Sequence, residues 1–297
     1  MIIKNTLNWR NIIMIMEKTK ITTGKMIGAI LLALATLVLS QTLASLIGTV
    51  PVIIGAPAAI GNVIAGILYP IFTILIVKLL CKKILKISME DCKLPKFSLK
   101  PVWCIAAIIM PCMVSAAFLL TSGHFENNAY DTLKVLEITT GAVFFYGIGT
   151  GIVEEVIFRG VIMTVLENRF NKCVAVIAPS VLFGMIHIIG RDLNLLSIVQ
   201  LIIAGSIVGI LFSLVTYESG NIWNSALIHA VWNMIIIGGI LHIGTDADEF
   251  FIYNYVLETD SFLITGGDFG IEASVISIIS YLIFIVVALV RMKKKKS

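Results

Sequence analysis

Eight apolar runs, each close to the length of a membrane-crossing helix, dominate this chain: residues 26–47, 59–80, 102–121, 135–166, 174–189, 195–215, 222–243 and 271–290. About 20 apolar residues span a bilayer's hydrocarbon core as a helix. Over 297 residues, 58% are hydrophobic and only 13% are charged, with a mean hydropathy of +1.01. A soluble domain is nearer one-quarter charged. Even a 300-residue soluble domain leaves roughly a quarter of its unfolded surface in water, so lipid must be the solvent for this much apolar chain. The expected fold class is all-α, a polytopic membrane protein of about eight helices. No stretch of soluble-domain composition separates the runs. We therefore expect a basic N-terminal segment (1–25), one membrane-embedded domain (26–291) and a basic tail (292–297).

Positive charge marks the cytoplasmic side of a membrane protein. The N-terminal segment holds Lys4, Arg10, Lys18, Lys20 and Lys25. It is too long and too charged for a signal peptide, and no A-x-A-like site follows. Trp9 with Ile12, Ile13 and Ile15 suits an interfacial helix, and Met16 is an alternative start. The second connection carries Lys82, Lys83, Lys86, Lys93, Lys96 and Lys100, the fourth Arg169 and Lys172, and the tail Arg291 and Lys293 to Lys296. The first connection is uncharged; the third holds Glu126 and Asp131, and the seventh Asp246, Asp248 and Glu249 among others. This alternation predicts eight spans with both termini cytoplasmic, in the cell membrane. The net charge of +4 sits at span ends rather than on one face. Membrane lipids are the expected surroundings and nucleic acid is not an expected partner.

Two groups of small residues read as helix packing. Gly147-Ile-Gly149-Thr-Gly151 has no preceding strand and no acidic residue in a βαβ context, so it is not a dinucleotide loop. Gly205 and Gly209, four apart, fit close helix approach in the same way. Cys81, Cys92, Cys104, Cys112 and Cys173 are odd in number and lie mostly in or beside apolar runs. We read them as free, space-filling thiols.

Against this background a few polar residues stand out. An ionised side chain at a membrane helix centre costs roughly 2.5–3.5 kcal/mol on insertion scales. The fourth run nonetheless contains Glu154, Glu155 and Arg159, the fifth His187, and the seventh His229 and Asn233. At about 1.5 Å rise per residue, Glu154 and His187 lie roughly 18 and 20 Å from the basic ends of their runs, and His229 about 12 Å along its own. All three fall near mid-membrane, where one cavity can hold them. Glu155 and Arg159 are four apart and can form a structural ion pair. Glu154 points about 100° away, toward a cavity. His229 and Asn233 share a face, on which Ser225 can orient His229 from one turn earlier. Phe183, one turn before His187, can wall the cavity. His124 and His242 fall in or near the acidic connections and read as ordinary polar residues.

Glu154-Glu155-x-x-x-Arg159, Phe183-x-x-x-His187 and His229-x-x-x-Asn233, in that order, resemble the motifs of the CAAX prenyl protease and bacteriocin-processing family, also called the Abi family. The resemblance spans residues 154–233 and implies an eight-helix intramembrane endopeptidase of the type II CAAX kind. It implies that Glu154 and His187 activate water, while His229 and Asn233 bind the oxyanion. A membrane-associated or lipidated protein or peptide is the implied substrate. The chemistry agrees: a carboxylate beside an imidazole can activate water, and an amide with an imidazole N–H can stabilise an oxyanion.

Two other readings compete. A non-catalytic immunity factor or scaffold would not need Asn233 facing His229. A proton-coupled transporter using Glu154 and His187 would be expected to show paired broken helices in matching halves, and none is evident. For metal, Glu154, His187 and His229 are the one conceivable zinc set. No H-E-x-x-H is present, and Asn233 suits an oxyanion better than zinc. The expectation is therefore catalysis without a cofactor, with zinc as the alternative.

Overall fold

The computed structural model describes residues 21–295; the basic residues before Ile21, the suggested interfacial helix and the Met16 start lie outside them. The chain is an all-α polytopic membrane protein. Six helices are long and apolar enough to cross a membrane: α1 (Thr23–Ile53), α2 (Ala58–Leu85), α3 (Pro101–Leu119), α4 (Thr132–Arg169), α6 (Leu195–Ser219) and α8 (Val275–Lys294). Two shorter apolar helices complete the bundle, α5 (Lys172–Ile186) and α7 (Trp223–Ile237). Each of the eight apolar runs thus corresponds to a helix.

Local chemistry sets the starts. Thr22, Asp131, Asn171, Asn194 and Ser274 each accept a backbone N–H of the first turn, replacing a partner that the helix cannot supply. Pro101 opens α3, where its missing N–H costs nothing.

Small residues let the helices approach. The buried face of α1 against α2 is Ala29, Ala33, Thr36, Ser40, Ala44 and Gly48. Between α5 and α6, a Cβ on Gly209 would meet Ser180 Cα at 2.8 Å. Between α4 and α7, a Cβ on Gly151 would meet the Ala230 backbone at 2.7 Å. This is the close packing read from the glycine spacing, and the α4–α7 contact places the polar residues of both helices side by side.

The basic connections gather at one end of the bundle. Lys100 and Lys295 both reach Glu218 at the end of α6. Arg169 Nε donates to Thr23 Oγ1 at 3.2 Å, and the Ile21 N–H donates to Asn168. The connection before α3 also meets the start of α7, where Ile222 N–H donates to Lys93 O and Trp223 Nε1 to Pro95 O. Both described ends of the chain therefore lie at this basic end.

A three-stranded sheet forms among the acidic connections. Its order is β1 (Gly123–Asn127), β3 (Tyr253–Leu257), β2 (Leu241–Gly244), with β1 antiparallel and β2 parallel to β3. Strands of four or five residues are too short to announce themselves beside 20-residue apolar runs. His124 and His242 sit on this sheet, the first bonded to Glu126 and the second against Phe251.

Candidate active site

The middle of α4 departs from regular α-helix on both sides of the glutamates. Residues Gly141–Thr150 and Val156–Ile162 are wound as π-helix, with only Gly151–Glu155 between them in α form. Such widened turns occur preferentially at functional sites, because they re-aim side chains at a cost in packing. Here Glu154 and Glu155 both reach His229 of α7, despite being adjacent in sequence.

Arg159 anchors the cluster. It is fully buried and donates from Nη1 to Glu155 Oε1 at 2.8 Å. Its Nη2 donates to the Gly209 carbonyl at 3.2 Å, so the bare backbone that lets α6 approach α5 also receives this charge. The guanidinium lies over the rings of Phe183 and Phe212, 4.7 and 5.2 Å from their centroids. Such contacts strengthen when desolvated.

Glu155 has a second neighbour. His229 Nδ1 lies 3.3 Å from the oxygen that Arg159 holds. Donation from Nδ1 to that carboxylate turns Nε2 toward Glu154, whose Oε2 lies 3.7 Å away. The ring of His229 stacks on Phe212, with centroids 4.9 Å apart and planes at 22°. Glu154 is 9% exposed and His229 5%, and Glu154 Oε2 has no hydrogen-bond partner.

Asn233 lies one turn beyond His229, where α7 also widens into π-helix. Its Nδ2 donates to the Tyr146 carbonyl in the first π segment of α4, at 2.9 Å. Asn233 Oδ1 is buried without a partner. His187 caps the end of α5, half-buried, with Nδ1 2.7 Å from the Phe183 carbonyl. An N–H donated there leaves Nε2 as the free nitrogen. Phe183 touches both imidazoles, with centroids 4.7 Å from His187 and 5.8 Å from His229.

Ser225 does not orient His229. Its hydroxyl pairs with Thr216 Oγ1 at 2.9 Å and with the Ile222 carbonyl at 3.0 Å, and the partner of His229 Nδ1 is Glu155. A hydroxyl one turn earlier reaches its own helix backbone more readily than the next side chain along. Glu154 makes no hydrogen bond with His187 among the described residues; its nearest imidazole is His229.

Three groups around the site escaped the sequence reading. The Tyr146 carbonyl and the Phe212 ring carry no motif signal. Glu272 does carry one, as an acidic residue at the start of the last apolar run. It accepts from Trp232 Nε1 at 3.2 Å, and its backbone carbonyl accepts from Tyr281.

Among the described residues, no three His, Cys, Asp or Glu side chains are grouped so that they could hold one metal ion. The set Glu154, His187 and His229 thus does not form a three-donor zinc site as the side chains stand. The cluster does present a buried carboxylate oxygen without a partner beside His229, with His187 across the Phe183 ring and Asn233 one turn further along α7. That is the equipment of acid–base chemistry on a polar bond.

Residues 136–235, about a third of the chain, match the family described as type II CAAX prenyl endopeptidase Rce1-like. The matched segment begins in α4 and ends within α7, so it contains every residue of the cluster except Glu272. This match supports the CAAX protease family. No curated protein matches the chain.

Proposed function

We propose, from the match of residues 136–235 to the type II CAAX prenyl endopeptidase family, that the chain hydrolyses a peptide bond of a membrane-associated or lipidated protein or peptide. A prenylated substrate is the form that the family description suggests. The observation that carries the proposal is the buried Glu154 carboxylate, 3.7 Å from His229 Nε2 and with an oxygen that no protein group satisfies. Buried polar atoms are nearly always paired. An unpaired carboxylate oxygen in lipid is a position for a reactant that donates a hydrogen bond, and water is that reactant.

In the proposed reaction Glu154 takes a proton from the water, which His187 Nε2 helps to hold. The water oxygen attacks the carbonyl carbon, and the carbonyl becomes a tetrahedral oxyanion. His229, with Nδ1–H on Glu155, donates Nε2–H to that oxygen in its imidazolium form. Asn233 gives Nδ2–H to Tyr146 through one hydrogen, and the second hydrogen is available to the oxyanion. The C–N bond then breaks, and Glu154 returns its proton to the leaving amine. Arg159 balances Glu155, so that Glu154 and the imidazolium remain the reacting charges. No step requires a metal.

We place the basic end of the bundle, with both termini, on the cytoplasmic face of the cell membrane. The site then opens within the bilayer, among lipids and substrates anchored in them. The purified protein in proteoliposomes, incubated with a membrane-anchored peptide in H2(18)O, tests the reading. One heavy oxygen should enter the new carboxylate, and Glu154→Ala should abolish it. A folded wild-type protein that leaves both prenylated and unmodified anchored peptides intact would contradict the proposal.

A further inference from the structure

Away from the acid–base cluster, two cysteines face one another. Cys81 Sγ and Cys92 Sγ are 3.3 Å apart, and both residues are buried, at 1% and 0% exposure. Both are free thiols. Packing of small apolar side chains does not require two sulfurs in register. These belong to different elements, the π-helical end of α2 (Cys81–Leu85) and the connection that leads toward α3.

That connection is a strap with fixed geometry. Lys86 and Lys93, which bracket it, both adopt left-handed backbone conformations, with φ of 59° and 58°. Ser88 and Asp91 close the turn reciprocally: each backbone N–H donates to the other's side chain at 3.0 Å. The strap touches two of the three helices that carry the site, α4 and α7. A Cβ on Gly160, the residue after Arg159, would meet Leu94 Cδ1 at 2.9 Å and the Cys92 carbonyl at 3.3 Å. Lys93 Nζ pairs with Glu167 of α4 at 3.1 Å, and the Lys93 carbonyl receives the Ile222 N–H at the start of α7.

From this geometry we infer that Cys81 and Cys92 form a reversible dithiol–disulfide pair, whose oxidation by a small-molecule disulfide ties the strap to α2. The link from the strap to the site rests on the peptidase reading; the pair itself does not. The chemistry balances. Cys81 as thiolate attacks a sulfur of oxidised glutathione and releases one glutathione. Cys92 then attacks the Cys81 sulfur of the mixed disulfide and releases the second. One protein S–S bond forms, the two thiol protons pass to the released thiols, and glutathione disulfide is reduced. The hydrogen bond with Cys81, and then burial, push the Cys92 thiol up, and the balance is the same if the two cysteines exchange roles.

A cavity of about 920 Å³ lies between the strap and α4, lined by Leu85, Lys86 and Asp91 on one side and by Thr164 and Glu167 on the other. It reaches the residue before Cys92, but the thiols are not part of its lining, so the strap has to open for the oxidant to reach them. Bond formation brings the sulfurs from 3.3 Å to about 2.05 Å, and the strap that moves is the one seated on Gly160 and Ile222.

The test uses full-length protein in detergent, titrated with oxidised and reduced glutathione and then alkylated for mass spectrometry. The expected result is a Cys81–Cys92 cross-linked peptide that disappears with dithiothreitol. The thermal midpoint of the oxidised form should rise by roughly 5 °C. That rise should be absent in both Cys92→Ala and Cys81→Ala. Cys173, exposed at the basic end of α5, reports that oxidant was present. Recovery of Cys81 and Cys92 as alkylated thiols under conditions that glutathionylate Cys173 would overturn the inference. So would a cross-link with no change in the thermal midpoint. If neither variant accumulates, the wild-type peptide map and its midpoint decide alone. None of these readouts depends on peptidase activity, so failure here leaves the peptidase reading standing, and failure there leaves this one.

Discussion

Two buried carboxylates in this bundle are treated oppositely. Glu218, at the end of α6, is saturated. Trp103 Nε1 donates to it at 2.7 Å, Lys100 Nζ at 3.2 Å and Lys295 Nζ at 3.0 Å, and Arg291 lies 3.4 Å away. It thereby ties α3, α6 and α8 together at the basic end. Glu154, in α4, has an imidazole at 3.7 Å and an oxygen with no partner. Both sit in chain that is otherwise apolar, and desolvation penalises both. A structural carboxylate offsets that penalty with donors from its own protein; one reserved for a reactant leaves a position open. Glu155 stands between them, with one oxygen shared by Arg159 and His229 and the other unpaired.

Removing donors from the second region should sharpen the contrast. Arg159→Ala leaves Glu155 buried without its cation, a change that costs about 3–5 kcal/mol. Folded yield and thermal midpoint in detergent should both fall sharply. A variant as stable as wild type would show that the Glu155–Arg159 pair does not hold the site together.

His229→Ala and Asn233→Ala should each lower turnover by roughly 10²–10³, with little change in KM, because an oxyanion donor acts in the transition state. A change in KM alone would assign these residues to substrate binding. The smallest expected effect is that of chelation. Activity should be unchanged by a zinc chelator, and metal analysis of active protein should find less than one equivalent of zinc. One equivalent, with activity lost on chelation and restored by zinc, would make His187 and His229 ligands instead.

Much of this contrast was legible in the sequence. The apolar runs show where the helices lie, since only spans of that length satisfy a bilayer. Their rare charges stand out because insertion penalises them, which singles out Glu154, Glu155, Arg159, His187, His229 and Asn233. Helical spacing also pairs Glu155 with Arg159, and the 2.8 Å contact between them follows. The contact of both glutamates with His229 was not legible. It depends on the π segments flanking Gly151–Glu155, and a spacing rule of 3.6 residues per turn cannot anticipate them. Ser225 failed as an orienting group for a related reason: its hydroxyl finds Thr216 and its own helix backbone first. Nothing in the sequence marks Glu218 as the hub of three helices, because its partners are 73 to 118 positions away. The small sheet was missed because its strands are only four or five residues long.

The most direct test compares Glu154→Gln with Glu218→Gln, purified in parallel and assayed for cleavage of a membrane-anchored peptide per unit of folded protein. Glu154→Gln should lose turnover by roughly 10³ or more while melting within a few degrees of wild type. Glu218→Gln should melt roughly 5 °C lower and, where folded, cleave at the wild-type rate. Full activity in the Glu154→Gln protein would contradict the account, because the carboxylate left open to a reactant would then not be the one that does the chemistry.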